Sequence, residues 1–209
     1  MRKFANTLLG KQYLRRFANH PTRVIFFGMN PGPFGMMQTG VPFGEIAAVR
    51  DWMGIRENIV PPKHQHPKRP ITGFDGTRSE VSGRRLWGLF AERFGRPDKF
   101  FAEHFVANYI PLAFLAESGA NLTPDKLKGS EREPLLEICD EHLRRVVEIL
   151  QPEWLVGVGG FATNRAKLIM GNSPVHIGQI LHPSPASPAA SGGWAAAATK
   201  RLIDLKIWK

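Results

Sequence analysis

The sequence predicts an α/β fold: a three-layer sandwich with a central, mainly parallel four-stranded sheet flanked by helices. Three observations predict it. Four short apolar runs, over 23–29, 101–110, 154–158 and 175–181, have the length of buried strands. Segments of helical periodicity alternate with them, the pattern of strands joined by crossover helices. Several of the runs break directly into Gly- and Pro-rich or Asn- and His-bearing turns, as strand exits do.

The elements follow in order. Residues 3–19 space Phe4, Leu8, Leu9, Tyr13, Leu14 and Phe17 by threes and fours, predicting an amphipathic helix that Pro21 ends. The first strand, 23–29, feeds the loop GMNPGPFGMMQTGVPFGE. A short helix over 44–54 puts Ile46, Val49 and Trp52 on one side. Residues 57–76 carry four prolines, His64, His66 and several cations without periodicity, so a long surface loop is expected. Ser79 or Ser82 is the expected N-cap of a helix running to Gly95. After the second strand, residues 121–133 are polar and irregular. Residues 134–150 are amphipathic, with Leu135, Leu136, Ile138, Leu143, Val146, Val147 and Leu150 inward. Gly159-Gly160 opens a helix to Met170, and the tail over 193–208 closes the fold with another. The 209 residues, with no internal repeat, read as one domain, 1–209.

Composition narrows the chemistry. Twenty-eight Lys and Arg against 18 Asp and Glu give a net charge of +10, which suits a polyanionic partner such as nucleic acid, or simple solubility. A single cysteine, Cys139, rules out a disulfide framework and a four-cysteine zinc or iron–sulfur site. It reads as a small core residue. No GxxxxGK[ST] occurs and no GxGxxG follows a strand, so neither a cofactor nor a metal is expected. No secretory leader or membrane span is expected either, and the chain reads as a cytoplasmic protein with no membrane partner.

In parallel sheets ligands bind beyond the carboxyl ends of the strands. Three expected strands end in Asn30, Asn108 and His182, which therefore converge on one mouth walled by Phe34, Phe43, Met29, Met36 and Met37. Only Glu45 supplies a carboxylate there, which disfavours a two-carboxylate glycosidase. Arg84 and Arg85 stand in the first turn of a helix, where a bound phosphate would offset them.

With those motifs in view, the chain resembles the single-strand-selective monofunctional uracil-DNA glycosylases, a branch of the uracil-DNA glycosylase superfamily. The likeness rests on Gly28 to Glu45, on SEVSGRRLWG, on Asn108-Tyr109-Ile110-Pro111-Leu112 and on His182-Pro183-Ser184-Pro185. It implies hydrolysis of the N-glycosidic bond of uracil, and of related deaminated or oxidised bases, in single- and double-stranded DNA. It implies that Asn30 orients the attacking water and that His182 stabilises the leaving base. Asn108 would read the uracil edge, Phe43 stack on the ring, and Met29, Gly32 and Met36 shape the pocket. Ser82, Arg84 and Arg85 would hold DNA, with Pro183, Ser184, Pro185 and Ala186 as a wedge. Ala186 stands where the best-known members carry Arg. Lys63, Lys68 and Arg69 are further phosphate candidates. The expected partner is DNA carrying uracil or a related damaged base, met by a monomer at the nucleoid of a bacterium or in a eukaryotic nucleus. Two alternatives stay open: a preference for hypoxanthine or xanthine, and a non-catalytic nucleic-acid-binding module of the same fold.

Overall fold

The computed structural model describes residues 7–56, 59, 61–185 and 193–209. Four parallel strands form one sheet: β1 (Val24–Gly28), β2 (His104–Asn108), β3 (Trp154–Val158) and β4 (His176–Ile180), in the order β2-β1-β3-β4. The central strand β1, VIFFG, is buried along its whole length, so its run is continuously apolar instead of alternating. Successive side chains still point to opposite faces. Phe26 meets Phe90, Phe100 and Trp208 on one side, whereas Phe27 meets Tyr109 on the other, where Tyr109 in turn packs on Phe161.

Helices cover both faces. On the Phe26 side lie α3 (Val81–Phe94), α4 (Pro97–Phe101) and α7 (Trp194–Asp204). On the Phe27 side, α6 (Gly160–Met170) packs on the strands and on α5 (Gly129–Leu150). The first helix, α1 (Thr7–Phe17), buries Tyr13 against β2, and the Tyr13 hydroxyl donates to the Val106 carbonyl at 2.9 Å. A four-residue helix, α2 (Met36–Thr39), lies inside the long loop after β1.

Several elements differ from the sequence expectation for definable reasons. The run expected as a strand over 101–110 is split: Phe100 and Phe101 end α4, and β2 starts only at His104. Pro97 followed by Asp98 is the helix-start signal, and the paired phenylalanines mask it. The helix α5 begins at Gly129, five residues before Pro134, which fits inside it. Ile138 is 69% exposed because the buried stripe runs through Cys139, Leu143 and Leu150, about 100° away around the helix. Leu14 on α1 is likewise exposed. The short helix expected over 44–54 forms around a π-helical turn, Ala48–Trp52, capped by Glu45, whose Oε2 accepts from the Ala48 N–H at 3.0 Å. Neither Ser79 nor Ser82 caps α3; Glu80 holds that position, and Ser79 donates to Glu45 Oε1 instead. Cys139 is a core residue, and burial pushes its thiol up to about 11.

A buried histidine ties the C-terminus to the sheet. His104 is 2% exposed, with Nδ1 3.1 Å from the Phe100 carbonyl, while Trp208 Nε1 donates to its Nε2 at 3.1 Å. One nitrogen donates and the other accepts, so the ring is neutral, and burial holds its pKa down to about 4, from 6.5. The unfolded chain binds a proton that the folded chain refuses. The stabilisation is therefore complete above pH 6.5 and lost as pH falls through about 4. Thermal melts across that window should show a loss of roughly 3 kcal/mol. In His104→Gln, which keeps an acceptor for Trp208, that portion of the slope should disappear; an unchanged slope would remove His104 as its source.

Candidate active site

The strand register builds the site. Gly28 and Asn108 are direct cross-strand partners at the ends of β1 and β2. The ladder continues one step further, with Tyr109 N–H on Gly28 O at 2.9 Å and Ile110 N–H on Met29 O at 2.8 Å. Asn108 is thereby held at the sheet's carboxyl edge. Behind it, the Tyr109 hydroxyl donates to Asp140, which also pairs with Arg165, and lies 2.9 Å from Leu136 O. This partly buried network fastens the exit of β2 to α5 and α6. At the other side, Gly159 turns the chain at φ 92°, and a Cβ there would stand 3.1 Å from that of His182.

A cavity of about 250 Å³ opens at this edge, lined by Met29, Asn30, Gly32, Met36, Phe43 and Asn108, with Glu80, Ser82, Asn121, Thr123 and His182 closing it. Drug-sized sites occupy ~300–1,000 Å³, so this one has room for a single flat ring. The structure thus brings together Asn30, Asn108 and His182 with Met29, Gly32, Met36, Phe43 and Ser82. Of the expected wall residues, Phe34 faces a separate hollow with Arg69 and Arg78 over its ring, at 5.4 and 4.0 Å, and Met37 is buried in the core.

Phe43 adopts φ 53°, a left-handed backbone that costs a bulky residue energy and is retained where the surroundings enforce it. Two glycines make room for it. A Cβ on Gly83 would stand 2.0 Å from the Phe43 carbonyl oxygen, and one on Gly28 would stand 2.4 Å from the Phe43 ring. The ring faces into the cavity, 6.0 Å from that of His182.

The amide of Asn108 is 4% exposed, with its nitrogen 3.1 Å from the Met36 sulfur and its Oδ1 buried without a partner. An orphaned buried acceptor costs about 1–3 kcal/mol, which a ligand donor would recover. His182 is set from both sides: Trp194 Nε1 donates to Leu181 O at 2.8 Å, and Arg85 Nη1 to Pro183 O at 3.0 Å. Ser184 N–H donates to His182 Nδ1 at 3.1 Å, which places the ring proton on Nε2. Burial lowers the His182 pKa below its ordinary value, so the ring is neutral at pH 7. The Asn30 amide nitrogen lies 3.4 Å from Pro31 O and 3.5 Å from Asn121 Oδ1, and Asn121 Nδ2 donates to Pro31 O at 3.1 Å.

Sequence reasoning missed Glu80, Asn121 and Thr123. Glu80 is half-buried against Gly32 and Gly35, where a Cβ would meet its carboxylate at 2.4 Å and its Cγ at 2.9 Å. Burial raises its pKa, against the opposing pull of the Ser82 and Phe34 N–H groups. Two flanking glycines were the available signal for it; Asn121 had none. Arg85 is engaged with the His182 loop, and exposed Arg84 rests on Ser79 at 3.3 Å. Of the residues after His182, Pro183 is buried, Ser184 half-buried and Pro185 exposed, and Ala186 lies outside the described residues. His64 is exposed, and His66 Nδ1 accepts from Lys68 N–H at 3.2 Å. Among the described residues, no group of three metal-ligating side chains comes together.

The family model for the uracil DNA glycosylase superfamily matches residues 16–206. A single-strand selective monofunctional uracil-DNA glycosylase from Rattus norvegicus is 50% identical over 199 residues, covering 94% of this chain and 72% of its own. The chain belongs to the single-strand-selective branch of the uracil-DNA glycosylase superfamily. A relative of the same description from Bos taurus is 47% identical over 94% of this chain and 73% of its own. The crystal structure of wild-type SMUG2 from Pedobacter heparinus superposes with a TM-score of 0.69 at 18% identity, over 94% of this chain and 80% of that one, a likeness of fold. No helix among the described residues is long and apolar enough to cross a membrane.

Proposed function

We propose that this chain is a monofunctional DNA glycosylase that hydrolyses the bond between deoxyribose C1′ and N1 of uracil in a flipped-out nucleotide. The single observation that carries the reading is the pairing of an orphaned amide acceptor, Asn108 Oδ1, with a neutral Nε2–H donor, His182, around one ring-sized cavity. Support comes also from the relatives' shared description.

The chemistry follows from the groups present. The base leaves the stack and enters the cavity, stacking on Phe43. Asn108 Oδ1 accepts from uracil N3–H while its Nδ2 donates to O4. Cytosine presents the reverse pattern, and the Met36 sulfur on Nδ2 opposes an amide flip to accommodate it. As the N-glycosidic bond lengthens, the sugar gains oxocarbenium character and the base gains negative charge at O2. His182 Nε2–H stabilises that charge, an oxyanion-hole effect. Asn30 has no proton-accepting group of suitable pKa, so it orients the water through Oδ1 instead of deprotonating it fully. Water adds its oxygen to C1′, the bonding pair leaves with uracil, and the proton is released to solvent. Among the described residues no lysine lines the cavity, which argues against Schiff-base strand cleavage.

Gly32, Met36 and Phe43 are proposed to limit access at C5. Ser82, Arg84 and the loop of Pro183, Ser184, Pro185 and Ala186 are proposed to meet the DNA backbone, with Arg85 supporting that loop. The whole reaction is assigned to one domain acting as a monomer wherever the genome lies: the cytoplasmic nucleoid of a bacterium or the nucleus of a eukaryote.

Single-turnover assays on strands carrying uracil or hypoxanthine test this directly. The expected result is an abasic, uncleaved strand from uracil, with Asn30→Ala slower by about 10²-fold at unchanged thermal stability. Wild-type rates in Asn30→Ala would remove Asn30 from the reaction. Faster release of hypoxanthine than of uracil would reassign the substrate.

A further inference from the structure

We infer that Asn121 is a positioning residue that fixes which end of the Asn30 amide faces the attacking water. The inference rests on the glycosylase reading given above.

An asparagine side chain has two ends of nearly equal shape and opposite hydrogen-bonding sense. Only one orientation serves hydrolysis. With Oδ1 toward the water, the amide accepts an O–H and leaves an oxygen lone pair for C1′. With the NH₂ toward the water, it donates to that same lone pair and withdraws it from the reaction. The two orientations of an isolated amide differ little in energy, so something beyond Asn30 has to choose.

The Pro31 carbonyl makes the choice, through Asn121. A backbone carbonyl only accepts, so the end of Asn121 that lies 3.1 Å from Pro31 O is its NH₂. That turns Asn121 Oδ1 toward Asn30, where it too only accepts, at 3.5 Å from Asn30 Nδ2. Pro31 O, 3.4 Å from the same nitrogen, reinforces the choice. Both contacts to Asn30 are long, as catalytic hydrogen bonds often are before substrate tightens them. The remaining end of Asn30, Oδ1, is left for the cavity that both residues line. Asn121 is itself held by its segment: it bridges Leu115, and Leu122 N–H donates to Phe114 O at 2.8 Å. The polar stretch after β2 is therefore a fixed brace beside the loop that carries Asn30.

A double-mutant cycle reads this out. Asn121→Ala is expected to slow single-turnover uracil release roughly 10- to 100-fold, with affinity for an uncleavable uracil-analogue strand and the thermal midpoint unchanged. Asn121→Asp still accepts from Asn30 Nδ2 but sets a carboxylate oxygen against Pro31 O in place of the donor, so it should recover only part of that loss. In the Asn30→Ala background, Asn121→Ala should have no further effect, because the group it orients is gone. A wild-type rate in Asn121→Ala, or the same fold loss in both backgrounds, would overturn the inference. Failure of the underlying reading looks different: the wild-type chain would release no uracil, or Asn30→Ala alone would leave its rate intact.

Discussion

Replacing His182 with alanine is expected to slow uracil release by about 10²–10³-fold, the usual cost of removing one donor from a developing oxyanion. The fold should tolerate the change. The residues on either side of His182 are held by Trp194 and Arg85, through the carbonyls of Leu181 and Pro183, and neither bond involves the imidazole. The loss should therefore fall on the chemical step, with strand affinity nearly retained. The pH profile supplies a second readout. Burial lowers the His182 pKa and Ser184 N–H occupies Nδ1, so protonation would set two donors against each other. The wild-type rate should hold its neutral-pH level as pH passes below 6.5, the ordinary imidazole value, and fall only at lower pH. In His182→Ala that lower limb should be absent. A variant rate within threefold of wild type would show that the donor to O2 lies elsewhere.

Gly28→Ala should damage the site directly. The added methyl would stand 2.3 Å from Asn108 Oδ1 and 2.4 Å from the Phe43 ring, well inside van der Waals contact. Both neighbours are fixed at their backbones, so their side chains would have to shift into the cavity they line. Asn108 is buried at the end of a parallel ladder, and the Phe43 backbone is pressed against Gly83. The clash displaces Asn108 and Phe43 together, the proposed base reader and stacking ring, so excision should fall by about 10²-fold or more. Overpacking of this kind typically costs about 1–3 kcal/mol in stability. Gly88→Ala is the matching control. Gly88 lies on the exposed face of α3 with nothing within 4 Å of its Cβ position, and the change should keep full activity while adding up to ~1 kcal/mol of stability. Equal activity in the two variants would mean that the Gly28 approach has no bearing on the site.

Much of this was legible from sequence because parallel strands deliver their exits to one edge. The runs ending in Asn30, Asn108 and His182 were visible as strands, so their convergence followed. Residues that enter from elsewhere were not legible. Glu80 precedes a helix, and Asn121 sits in a polar stretch without periodicity, so neither advertises where it points. Arg85 shows a related limit: counting cations near a helix start does not reveal that a guanidinium spans to the Pro183 carbonyl. Phe101 read as the start of a strand because apolar runs of that length do not distinguish a short buried helix from a sheet.

The pairing of Gly28 with Asn108 across the first two strands has one more consequence. Side chains alternate faces along a strand, so inserting or deleting a single residue within β2 would send Asn108 to the far side of the sheet while leaving the loop motifs intact. Variation in length is thus confined to connections that carry no cavity residue. A homologue could lengthen those and keep the cavity, whereas a one-residue frame change in β2 would leave every signature motif in place and turn Asn108 away from it.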